Sequence, residues 1–94
     1  MIADADLIAG HIESDPYHPG LGEARLIASG VSVWAVIGHL VSVDGNIDQA
    51  AADYDLSPDE MAAALAYYRL HRTAIDLRLA ANASGALVDS TLLA

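Results

Sequence analysis

The chain contains no cysteine and no lysine. Without thiols it can build neither a disulfide framework nor a thiolate metal site, which suits a reducing compartment and leads us to expect a cytoplasmic protein. Without lysine, its fixed cations are Arg25, Arg69, Arg72 and Arg78, set against 13 acidic residues for a net charge of −9. Phosphate-driven binding of nucleic acid depends on clustered cations that release counterions, so this balance disfavours it. A basic protein surface is the better electrostatic complement. The histidines, His11, His18, His39 and His71, are not paired at metal-ligand spacing, and no metal site is expected. No nucleophile and base stand out by spacing, so no catalytic residue, cofactor or enzymatic activity is expected either. Internal repeats and low-complexity tracts are absent apart from alanine enrichment. The opening residues, Met1-Ile2-Ala3-Asp4-Ala5-Asp6, are acidic where a secretory leader would be basic.

What the chain does have is apolar side chain in excess. Its 94 residues make one small domain, yet 54% are hydrophobic, and the mean hydropathy is +0.35. A domain this small has too much surface to bury all of that. Self-association, as a homodimer or higher oligomer, or a partner protein is therefore expected to cover part of it. Residues 26–43 contain no Asp, Glu, Lys or Arg over 18 positions, just long enough to raise a membrane span. Ser29, Gly30, Ser32, Gly38, His39 and Ser42 interrupt that run, and no basic flank orients it. A strand followed by a buried helix is the preferred reading, with no membrane contact.

The clearest local signal is Leu56-Ser57-Pro58-Asp59-Glu60-Met61. Ser57 is an N-cap, Pro58 fits the first helical position, Ser57 and Glu60 have capping-box spacing, and two acids sit at the positive end of the helix dipole. The pattern predicts a long helix from Pro58 to about Ala81. Met61, Leu65, Tyr68, Arg72, Ile75 and Leu79 recur along it at alternating steps of four and three. This seam is about three turns longer than the preceding helices can cover.

Ahead of it, residues 1–7 read as a flexible start. Residues 8–14 and 24–27 read as the strands of a hairpin around Asp15-Pro16 and Pro19-Gly20. Ser29-Gly30 breaks the chain, Ser32 caps a first helix over 33–43, and Asp44-Gly45-Asn46 makes a turn. Asn46 then caps a short helix over 47–53, and Tyr54-Asp55-Leu56 is a tight connection. Short helix, tight turn and second helix is a helix-turn-helix arrangement. The predicted fold is mainly α: an N-terminal β-hairpin, then a three-helix homeodomain-like helix-turn-helix bundle with a long last helix. The domain occupies 8–81 and a C-terminal tail 82–94.

Several short segments carry a family resemblance. His11-Ile12-Glu13-Ser14-Asp15-Pro16, Ala24-Arg25-Leu26, Tyr54-Asp55-Leu56-Ser57 and Ala63-Ala64-Leu65-Ala66-Tyr67-Tyr68, with His71, Ile75 and Asp76, resemble the domain-of-unknown-function family number 433. The resemblance covers residues 8 to 80. It implies a homeodomain-like helical domain with an N-terminal hairpin. It also implies an antitoxin of a type II toxin–antitoxin pair whose partner is a PIN-like nuclease. The family usually has Pro-Arg-Ile-x-Gly-Thr-Arg-Ile-x-Val after the hairpin loop. Here the run is Ala24-Arg25-Leu26-Ile27-Ala28-Ser29-Gly30-Val31-Ser32-Val33. Arg25 keeps the first cation and Gly30 replaces the second, which weakens an inference of DNA binding.

The residue types then suggest two sets of contacts. Leu26, Tyr67, Tyr68, Ile75, Leu79 and Leu92 are candidates for a partner or oligomer interface. Arg25, Arg69 and Arg72 are candidates for phosphate or acidic-site contacts. A DNA reader would put cations at the start of the helix after the turn, whereas this chain puts Asp59 and Glu60 there. The expected function is therefore neutralisation of a nuclease toxin by protein contact. A transcriptional autoregulator acting through the helix-turn-helix, or an oligomerisation scaffold, are the alternatives.

Overall fold

The computed structural model describes residues 3–93, with side chains described for 3–83. Among them are helices α1 (Asp4–His11), α2 (Val33–Ser42), α3 (Ile47–Tyr54), α4 (Pro58–Leu70) and α5 (Arg72–Leu93). Strands β1 (Ile12–Glu13) and β2 (Arg25–Leu26) form a two-stranded antiparallel hairpin. The protein is mainly helical, with the expected N-terminal hairpin followed by the expected helices of the turn motif.

The start of the chain differs from expectation. Residues 1–7 were expected to be flexible and 8–14 to form a strand; instead α1 begins at Asp4 and the strand shrinks to Ile12–Glu13. Asp4 and Asp6 occupy the first turn of α1, where acids suit the helix dipole. The spacing of Ile8 and Ile12 suits one face of a helix or of a strand alike, so packing decides. Leu7 and Ile8 pack against the core, with α1 lying along α4.

The hairpin pairs Ile12 with Leu26 and Glu13 with Arg25. The Ile27 amide donates to the His11 carbonyl at 2.9 Å. Gly30, at φ +74°, turns the chain after β2, and its amide donates to the Leu26 carbonyl. The Val33 amide then donates to the Ala24 carbonyl, which ties the entry of α2 to the hairpin.

Helix α2 buries Val33, Val36 and Ile37 and half-buries Trp34 and Leu40. This matches an apolar sequence nearly all round, since α3, α4 and α5 all pack on it, although Val41 faces out. Two of the three predicted caps form: Ser32 stands at the N-terminus of α2 but its side chain makes no capping hydrogen bond, whereas Asn46 and Ser57 do. The Asn46 side chain accepts from the Gln49 amide at 3.0 Å. At α4 the capping box closes in both directions: the Glu60 amide donates to Ser57 Oγ at 3.1 Å, and the Ser57 amide donates to Glu60 Oε1 at 3.0 Å. Asp55, in the left-handed region at φ 56°, ends α3 and starts the turn.

The single long helix expected from Pro58 to about Ala81 is in fact two. His71 leaves helical geometry (φ −124°, ψ 40°) and separates α4 from α5, which runs on to Leu93. The His71 amide still donates to the Tyr67 carbonyl and the Ile75 amide to the His71 carbonyl, so the break is one residue wide. It has a packing cause. Helix α4 buries Met61, Ala63, Ala64, Ala66 and Tyr67 in the body. After the break, α5 packs on α2 and on the 3₁₀ turn Leu21–Glu23, which brings Ile75 to full burial and Leu79 against the core. The tail expected over 82–94 is therefore helical backbone as far as Leu93. No helix of the described residues is long and apolar enough to cross a membrane.

Candidate interaction surfaces

Each arginine is engaged within the chain. Arg25 donates to Glu13 across the hairpin at 2.7 Å, and this hydrogen bond holds its guanidinium above its ordinary pKa. Arg69 reaches the Asp4 carboxylate on α1 at 3.2 Å. Arg72 lies over the Tyr68 ring, 5.3 Å from its centre. Arg78 donates to Glu23 at 2.6 Å and lies 4.4 Å from the centre of the Trp34 ring. Arg69 and Arg72, on either side of His71, line one concavity, while Arg25 on β2 does not line it, so the three do not converge on one site.

The aromatic and aliphatic candidates divide differently. Leu26 and Ile75 are fully buried, and Tyr67 is only 5% exposed. These three build the interior, and Tyr67 does not face a second subunit. The Tyr67 ring sits 4.5 Å from that of His71, and its hydroxyl donates to the Leu21 carbonyl. Burial pushes its phenol pKa up. Tyr68 and Leu79 remain partly accessible. The Tyr68 hydroxyl donates to Asp76 at 2.9 Å, and that bond raises its pKa. Arg72, four residues before Asp76, lies over the Tyr68 ring. The Leu92 side chain lies outside the described residues.

Two apolar surfaces emerge instead. The first is the elbow between α4 and α5, a concavity of about 490 Å³ lined by the apolar Leu21, Leu70, Ala74 and Leu77 and by the polar Arg69, His71, Arg72 and Thr73. Leu70 is 66% exposed and Leu77 65%. Residues exposed on one side of a bend are hard to see in a sequence whose helix reads as continuous. The second is a groove of about 400 Å³ between α3 and α4, floored by Leu56 and Met61 and walled by Ile47, Ala51, Pro58 and Leu65, with Asp48 on its lining.

A polar cluster joins α2 to α3. His39 Nε2 lies 2.6 Å from Asp53 Oδ2, and Gln49 Nε2 donates to Asp53 Oδ1 at 2.6 Å. These bonds, the His39 one first, hold the Asp53 carboxyl below its ordinary pKa. The Ser42 hydroxyl lies 3.3 Å from His39 Nδ1 but donates to the His39 carbonyl at 2.7 Å, so its proton is committed to the backbone. The cluster is a clasp between helices. The i, i+4 spacing of Gln49 and Asp53 is the trace of it that the sequence carries, whereas the His39–Asp53 contact is tertiary. Among the described residues, no group of three or more His, Asp or Glu side chains is placed to hold a metal ion.

At the helix-turn-helix itself, Asp59 is exposed and Glu60 is engaged by its cap. Residues 26–68 contain six carboxylates and no Arg or Lys. The half of the molecule where a DNA reader would present cations is therefore uniformly anionic. In comparisons with protein-family models, curated proteins and solved structures, the chain matches none.

Proposed function

We propose that the chain is an antitoxin-like protein that binds and neutralises a nuclease toxin by protein contact in the cytoplasm. The observation that carries this reading is the engagement of every arginine within the chain, set beside the exposed elbow leucines. The elbow offers exposed leucines beside Arg69 and Arg72, whose guanidinium groups meet Asp4 and the Tyr68 ring, and this suits a protein partner better than a phosphate backbone. The resemblance to the antitoxin-like family and the net charge of −9 support the same choice, since a nucleic-acid-cleaving partner needs a basic substrate channel. In this reading Leu70 and Leu77, with α5 beyond them, form the contact with the toxin. Self-association through the same leucines belongs to it too, and light scattering of the free chain reports it.

The test is co-expression with the product of the adjacent reading frame. Copurification and relief of growth arrest are expected, and both are lost in a Leu70→Glu/Leu77→Glu double variant. If the two proteins do not copurify and growth is not relieved, the reading is wrong.

A further inference from the structure

The α3/α4 groove is separate from the elbow and needs its own occupant. Its walls and floor are aliphatic: Ile47 and Ala51 from α3, Leu56 from the turn, Met61 and Leu65 from α4. Ile47 is 46% exposed, although a capped helix start leaves ample room for a polar residue. The charge around it has one sign. Asp48 lines the groove, and Asp55 and Asp59 flank Leu56 and Pro58 in the chain. Both aspartates are exposed, and no arginine lines the groove.

We propose that this groove binds a cationic amphipathic helix of a partner protein, with an aliphatic stripe in the cleft and Lys or Arg side chains against Asp48 and Asp59. The mode is a helix laid in a groove, read by residues at i, i+3 or i+4, and i+7. Charge complementarity selects this occupant over a second copy of the chain. A second copy also carries −9, and its cations are held by its own Glu13, Asp4, Tyr68 and Glu23. Opposite charge along the rim would speed encounter and fix orientation, while the aliphatic contact would hold the complex. The inference concerns a different surface from the toxin contact, and its probe contains no nuclease, so either can fail without the other.

The probe is a designed peptide of about four helical turns with a leucine stripe flanked by lysines, and a control with glutamates in place of lysines. Both are titrated into the isotopically labelled full chain, with backbone amide shifts and peptide fluorescence as readouts. The lysine peptide is expected to shift amides of Ile47, Ala51, Ala62 and Leu65, and the glutamate peptide is expected not to bind. Asp48→Lys/Asp59→Lys weakens binding by about tenfold or more. Ile47→Glu adds a negative charge and should strengthen a purely electrostatic contact; here it weakens binding by a similar factor, because the apolar wall is lost. Ile47 lies outside the core, and far-UV circular dichroism of each variant reports that the fold persists. The proposal is overturned by any of three results: shifts scattered over the acidic surface with Ile47→Glu binding as well as the parent, no binding of the lysine peptide, or groove amides that move with protein concentration alone and so report a second copy in the cleft.

Discussion

Tyr67 sets its ring beside His71 and its hydroxyl on the Leu21 carbonyl, 46 residues away in sequence. It thus anchors the 3₁₀ turn to α4. Tyr67→Phe keeps the ring and removes the donor, and should cost about 1 kcal/mol in urea unfolding. Gly22 lies in the same turn. A Cβ there would meet the Ala74 carbonyl oxygen at 2.9 Å, a backbone atom that cannot swing away. Gly22→Ala should therefore destabilise by about 1–3 kcal/mol. Gly38→Ala should be milder in the same assay, because its close neighbour is the flexible tip of Leu79 at 3.0 Å. The clasp between α2 and α3 makes a prediction in pH. The folded Asp53 carboxyl titrates below its ordinary value because His39 and Gln49 bond it. Its stabilisation is therefore present above the ordinary aspartate range and lost as pH falls through the depressed folded value. Thermal melts of Asp53→Asn taken down to about pH 3 should show a flatter acid limb than the parent. An unchanged limb would mean that the clasp contributes nothing.

The elements show which signals are local and which belong to the whole fold. Caps are local. Asn46 and the Ser57/Glu60 box act within four residues, and both are as the sequence predicts. Ser57→Ala should cost about 1 kcal/mol by the loss of its bond to the Glu60 amide, measured by chemical denaturation. Turn chemistry at Asp44-Gly45-Asn46 and Ser29-Gly30 was legible for the same reason: positive φ needs particular residues. The break at His71 was not legible. It carries no Gly or Pro, and the helical seam runs through it uninterrupted. Only the docking of Ile75 and Leu79 on α2 reveals it, and that packing is tertiary. Helix α1 was missed because a short apolar stretch beside a turn suits strand or helix equally, and its contact with α4 decides. The site residues followed the same division. Leu26, Tyr67 and Ile75 were recognisably apolar and in register, but whether such a face meets the chain's own core or a partner depends on the bend. Leu70 and Leu77, which the bend leaves exposed, lie outside the seam.

At the scale of the molecule, charge and shape agree. Residues 26–68 carry only negative fixed charge, and the 22 residues of α5 span about 33 Å within a particle of 51 × 28 × 21 Å. Fluorescence anisotropy with promoter duplex at about 50 mM salt should show no binding, since few phosphates can be neutralised. Saturable binding there would favour the autoregulator. The reading of the molecule as a protein that masks a nuclease has a more direct test. The purified product of the adjacent reading frame is assayed for nucleic-acid cleavage while this chain is added. Cleavage should fall to background at stoichiometric chain and stay high with the Leu70→Glu/Leu77→Glu variant. Full cleavage in the presence of excess parent chain would contradict it.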